Sequence, residues 1–71
     1  MKVQSPSDLG ALVREERRRQ RLSQSEVALA ANTGVRFVSD LENGKPTTQL
    51  AETLRVLQAL GLDLVLVGRG R

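Results

Sequence analysis

Cysteine, histidine, tyrosine and tryptophan are all missing from this 71-residue chain, and Phe37 is its one aromatic residue. Without cysteine there are no disulfides, and without cysteine and histidine there is no zinc site. The commonest nucleophiles and acid–base groups are absent too. Glu15 and Glu16 are adjacent on a helical segment and point in different directions. That leaves a Ser–Lys or an unpaired carboxylate site as the only enzymatic alternative, and the chain is read as a non-enzyme with no cofactor and no metal. No apolar run approaches the roughly 20 residues of a membrane span, and no signal peptide is visible. The expected location is the cytoplasm. A chain of this length forms one small domain, residues 1–71, that buries only about 60% of its unfolded surface. Small domains gain stability from disulfides, metals or a partner chain. The partner chain is what remains.

Charge is the first positive signal. Eleven Lys and Arg stand against eight Asp and Glu, a net +3, and every base except Lys2 and Lys45 is arginine. A basic balance fits nucleic acid and fits an ordinary solvated surface equally.

Helix starts are written clearly. Ser5 is a capping residue, Pro6 suits a first helical position and Asp8 completes a capping-box spacing. With Leu9, Leu12, Val13 and Glu16 at helical intervals, this predicts a first helix over about 6–20. Arg14, Arg17, Arg18, Arg19 and Arg21 crowd its end, where they complement the helix dipole or face phosphate. Ser23 and Glu26 form a second capping box, opening a helix over about 24–31 whose Val27, Leu29, Ala30 and Ala31 supply small apolar surface. Asn32 and Gly34 break it, because both tolerate left-handed backbone. Val35, Val38 and Leu41 mark a third helix over about 35–43. Leu50, Leu54, Leu57 and Leu60, with Ala51, mark a fourth over about 48–60, ended by Gly61.

The stretch LDLVLVG that follows is short, rich in valine and leucine and flanked by glycines, which favours a strand over residues 62–67. The alternative is a disordered or helical apolar tail. A strand needs a partner for its backbone groups, and no other segment of the chain reads as one. The simplest partner is the same segment of a second copy. Leu62, Leu64, Val65, Leu66 and Val67 then form a two-stranded antiparallel ribbon across a two-fold axis, giving a homodimer.

Two short helices joined by a tight turn form a helix-turn-helix, whose second helix enters the DNA major groove by its N-terminal residues. Arg36 then lies where side chains meet base edges, and a guanidinium pairs bidentately with guanine. Val35 is placed to meet a thymine methyl. Asp40, one turn later, is placed to accept from cytosine N4.

The stretch SQSEVALAANTGVRFVSDLENGK resembles the Cro/phage-repressor (XRE) helix-turn-helix family, through Gln24, the Val27–Ala28 and Val38–Ser39 pairs and the closing LENGK. The resemblance covers residues 6–61. SPSDL and LQALGLDLVLV, on either side of the motif, are similar to HipB-like antitoxins, which are dimers that bind operator DNA and a HipA-like kinase toxin and pair a C-terminal strand between subunits. The resemblance implies that Val35, Arg36 and Asp40 read bases, that Gln24, Ser39, Asn43 and Lys45 meet the DNA backbone, and that Arg17 pairs structurally with Glu42. There are departures: Asn32 replaces the turn glycine, Val35 replaces a polar reader, Asp40 is acidic, and Phe37 replaces a small residue. Phe37 either packs against the second helix or meets a sugar or thymine methyl. The expected architecture is a mainly α, four-helix repressor-like domain with a C-terminal strand pairing across a homodimer. The expected function is an autoregulating repressor on an inverted-repeat operator, the antitoxin partner of a HipA-like kinase. Two alternatives stay open: a stand-alone phage-type repressor, and a protein-interaction module that does not bind DNA. The operator sequence, any inducer or degradation signal, and the role of the tail over residues 68–71 are not readable.

Overall fold

The computed structural model describes residues 2–70. The Ser5 hydroxyl accepts from the Asp8 amide at 3.1 Å, Pro6 takes the first helical position, and α1 runs Pro6–Arg19. Ser23 and Glu26 close a reciprocal capping box and start α2, Gln24–Ala31. Neither α3, Val35–Glu42, nor α4, Leu50–Ala59, has a side-chain N-cap bond. α4 starts at the first leucine of its pattern, two residues later than the expected start at about 48, because Pro46 and Thr47 form a turn and Gln49 precedes the helix in extended backbone.

All four helices end alike. A left-handed residue follows each: Asn32 directly after α2, and Arg21, Gly44 and Gly61 one residue further on, after Gln20, Asn43 and Leu60. Two amides then fold back on the last turn, as in Leu22 to Arg17, Thr33 to Ala28, Lys45 to Asp40 and Leu62 to Leu57. This pairing satisfies carbonyls that a helix end otherwise leaves unmet.

α3 packs against α1 and α2, and α2 packs against α4. Their shared core is Val13, Val27, Ala28, Ala31, Val38, Leu41, Val56, Leu57 and Leu60. An eight-residue helix such as α3 is marginal alone, so its stability comes from this packing. Gly10 brings α1 and α3 close together: a Cβ there would lie 2.3 Å from the Leu41 carbonyl oxygen.

Two apolar faces differ from the sequence pattern. In α4 the buried stripe is Thr53, Val56 and Leu57, continued by Leu60 just past its end, while Leu50 is 68% exposed and Ala51 is also exposed. Thr53 tolerates burial because its hydroxyl donates to the Gln49 carbonyl at 2.8 Å. In α2, Leu29 and Ala30 face outward, and Val27, Ala28 and Ala31 face in.

The strand expected over residues 62–67 does not form in the single chain. Past Leu62, whose amide closes α4 and whose side chain packs on the core, residues 63–70 carry neither helix nor strand. The physical reason is that a strand exists only through ladder bonds to a neighbour, and the described residues supply none. Leu64, Val65, Leu66 and Val67 are left 52–88% exposed, facing Lys2, Val3 and Gln4 across an open cleft.

Candidate nucleic-acid interface

The site is built on the turn between α2 and α3. Asn32 adopts φ 55°, ψ 51°, a conformation asparagine reaches more readily than other side chains. α4 clamps this turn from behind. The Arg55 guanidinium donates to the Ala31 carbonyl at 3.0 Å, where a cation also suits the end of a helix dipole. The Thr33 hydroxyl donates to Glu52 at 2.8 Å. With the turn held, α3 buries Val38, Leu41 and Glu42 and turns its first residues outward.

Arg36 is exposed in the first turn of α3, and among the described residues it makes no ion pair. Val35 beside it is 47% exposed. Phe37 is half-buried against the core. Asp40 is half-buried and lies 3.5 Å from the Lys45 ammonium. An acidic side chain on this face is therefore partly neutralised by its own chain. Ser39 is half-buried on the same helix.

Behind α3 lies a buried carboxylate hub. Arg17 Nε donates to Glu42 Oε2 at 2.6 Å and its Nη2 to Oε1 at 2.9 Å. Arg17 also donates from Nη1 to the Leu22 carbonyl at 2.8 Å. The Gln24 side-chain amide donates to Glu42 Oε1 at 3.1 Å, and Arg14 Nε reaches the same oxygen at 3.4 Å. Arg14 Nη2 continues to Asn43 Oδ1 at 2.8 Å. The Glu42 side chain is fully buried. Burial pushes its carboxyl up, but the donors from Arg17, Gln24 and Arg14 outweigh that, and it titrates below the ordinary carboxylate range. Arg17 is raised by the same bond.

The hub thus gathers Arg17, Gln24, Glu42 and Asn43 into one network, while Asp40 and Lys45 form a separate pair. The segment of residues 62–67 belongs to neither. Arg14, expected to complement the helix dipole or face phosphate, instead meets Glu42 and Asn43, and Arg55, Thr33 and Glu52 carry no signal in the sequence. Gly10 carried a signal, because a glycine inside a helix is costly unless a neighbour comes close. Among the described residues no three His, Cys, Asp or Glu side chains are grouped to hold a metal, and no helix is long and apolar enough to cross a membrane. Arg18, Arg19 and Arg21 are exposed, with Arg19 bonded to Glu16, whose carboxyl falls to about 2 through hydrogen bonds from Arg19 and Gln20.

A model of the family described as "Helix-turn-helix domain" matches residues 8–69. The chain is 46% identical over 69 residues to the "Uncharacterized HTH-type transcriptional regulator y4mF" of Sinorhizobium fredii, covering 97% of this chain and 91% of that protein. It is 34% identical over 59 residues to the "ImmF control region 10 kDa protein" of Bacillus phage phi105, covering 80% of this chain and 66% of that one. Among solved structures, those described as "Structure of HipA-HipB-O2-O3 complex" and "HipB-O4 20mer complex" each match with a TM-score of 0.89 and 28% identity, covering 97% of both chains.

Proposed function

The chain belongs to the helix-turn-helix family of transcriptional regulators, and from that premise we propose that it is a homodimeric, sequence-specific repressor of the HipB antitoxin type. The observation that carries this reading is the pairing of two facts: a likeness to HipB over nearly the whole chain, and an uncommitted arginine exposed in the first turn of α3. In this reading α3 enters the major groove. Arg36 pairs with guanine O6 and N7, and Val35 meets a thymine methyl. Asp40 accepts from cytosine N4, in competition with Lys45. Gln24, Ser39, Asn43 and Lys45 hold the DNA backbone, which fixes register without reading sequence.

Residues 62–67 pair antiparallel with the same segment of a second copy. This explains why four large apolar side chains stand exposed there. Two-fold symmetry then calls for an inverted-repeat operator with half-sites roughly 34 Å apart, one turn of DNA. The antitoxin partner is a HipA-like kinase, a proposal supported by the complex of HipB with HipA among the similar structures.

One observation favours a second reading, a stand-alone phage-type repressor: the phage relative is described by a control region and not by a toxin. Footprinting on the chain's own upstream DNA, together with affinity purification from native cells, separates the two. A protected inverted repeat plus a co-purifying kinase supports the antitoxin. A protected repeat with no kinase leaves the phage-type repressor. No protected DNA at all refutes both.

A further inference from the structure

We propose that Arg14 acts as a positioning residue for the Asn43 amide, holding it with its donor group free for phosphate. The proposal rests on the reading of Asn43 as a backbone contact and adds the device that makes that contact directional. A phosphate oxygen only accepts, so a carboxamide beside it must present its NH2. An asparagine amide is nearly symmetric in shape and turns either way unless a neighbour distinguishes its two ends. Arg14 makes that distinction. Its Nη2 holds Asn43 Oδ1 at 2.8 Å, and a guanidinium has donors only, so the opposite orientation would set N–H against N–H. Both Nδ2 hydrogens are then left over on a side chain that is exposed.

Arg14 is not needed to neutralise Glu42. Arg17 already grips both carboxylate oxygens, at 2.6 and 2.9 Å, whereas the Arg14 Nε bond to that carboxylate is long, at 3.4 Å. The short, well-directed bond of Arg14 is the one to Asn43. Its side chain is 37% exposed and lies one turn before Arg17, so removing it opens no cavity in the core. Lysine cannot substitute. Its ammonium is a point charge on a flexible stem, without the planar fork that spans Glu42 and Asn43 together.

The test is a double-mutant cycle in DNA binding. The probe is a duplex selected from random-sequence DNA by the wild-type protein, and the variants are Arg14→Ala, Arg14→Lys, Asn43→Ala and Arg14→Ala/Asn43→Ala. Thermal unfolding is followed alongside. Loss of a hydrogen bond to phosphate, a charged acceptor, corresponds to about tenfold or more in affinity. Asn43→Ala is expected to lose that factor, Arg14→Ala and Arg14→Lys to lose nearly as much, and the double variant to be no weaker than Asn43→Ala. Unfolding midpoints stay close to wild type. If Arg14→Lys binds as tightly as wild type, or if the two losses multiply in the double variant, Arg14 acts by its own charge and the proposal is overturned. If Asn43→Ala binds normally, the backbone role of Asn43 fails first and takes the positioning role with it, a result distinct from multiplied losses.

Discussion

Gly10→Ala inverts the usual effect of replacing a helical glycine. On an exposed helix the change stabilises by up to about 1 kcal/mol, because alanine loses less backbone entropy on folding. In α1 the added Cβ would sit 2.3 Å from the Leu41 carbonyl oxygen and 2.7 Å from that of Glu42. Ordinary van der Waals separation begins at 3.4 Å, so α1 and α3 must separate by about 1 Å. Both obstructing atoms are backbone at the end of a helix and have no rotamer by which to yield. Overpacking of this kind costs about 1–3 kcal/mol, to which the propensity gain is a partial offset. The separation also stretches the bonds from Arg17 to Glu42, which join the same two helices. A net loss of about 1–2 kcal/mol lowers the unfolding midpoint by roughly 5–15 °C in a domain this small. Circular dichroism melts of wild type and variant at equal concentration measure it. A midpoint equal to or above wild type would refute the close approach of α1 and α3.

Three further outcomes are expected. Glu42 titrates lower folded than unfolded, so its contribution to stability is present above pH 4.5, its ordinary value, and is lost as pH falls through the folded value; urea titrations between pH 7 and pH 3 should show a steeper acid loss in wild type than in Glu42→Gln, and parallel curves would contradict the hub. Arg21 holds φ 59° at the end of α1, a conformation costly for a side chain, so Arg21→Gly should stabilise by about 0.5–1 kcal/mol, read as a rise in the denaturation midpoint; a fall would show that the fold relies on the Arg21 side chain. Removing residues 63–71 keeps Leu62 and its closure of α4, and should yield a folded monomer by sedimentation; a dimer that persists would exclude the C-terminal ribbon.

The helix starts were legible because capping is local chemistry: Ser5 with Asp8, and Ser23 with Glu26, each act within one turn. The α4 stripe was misread because leucine is conspicuous and threonine is not. Thr53 is buried through a bond to its own turn, which polarity does not advertise, whereas Leu50 lies before the first buried turn and stays in solvent. The reading of residues 62–67 as a strand describes a pairing between chains, so one chain displays only the exposed apolar side chains that such a pairing would cover. Arg17 and Glu42 entered the reading through family resemblance. Spacing alone does not bring residues 25 apart to 2.6 Å. Arg14 reads as a dipole or phosphate cation and Arg55 carries no signal, because an arginine on a helix looks the same in sequence whether it meets solvent, a carbonyl or an asparagine.

The central claim is that α3 reads DNA through Arg36, and a paired titration tests it most directly. Wild type, Arg36→Ala and Lys45→Ala are each titrated against the selected duplex and a scrambled duplex over a range of salt. Arg36 lies in the first turn of α3, and Lys45 lies past its end. Losing a bidentate bond to guanine should cost Arg36→Ala about 1–3 kcal/mol on the selected duplex and much less on the scrambled one. Lys45→Ala should weaken both by similar factors and reduce the salt slope by about 1 for each phosphate no longer neutralised. If Arg36→Ala weakens both duplexes equally, Arg36 meets the DNA backbone and α3 does not read sequence through it.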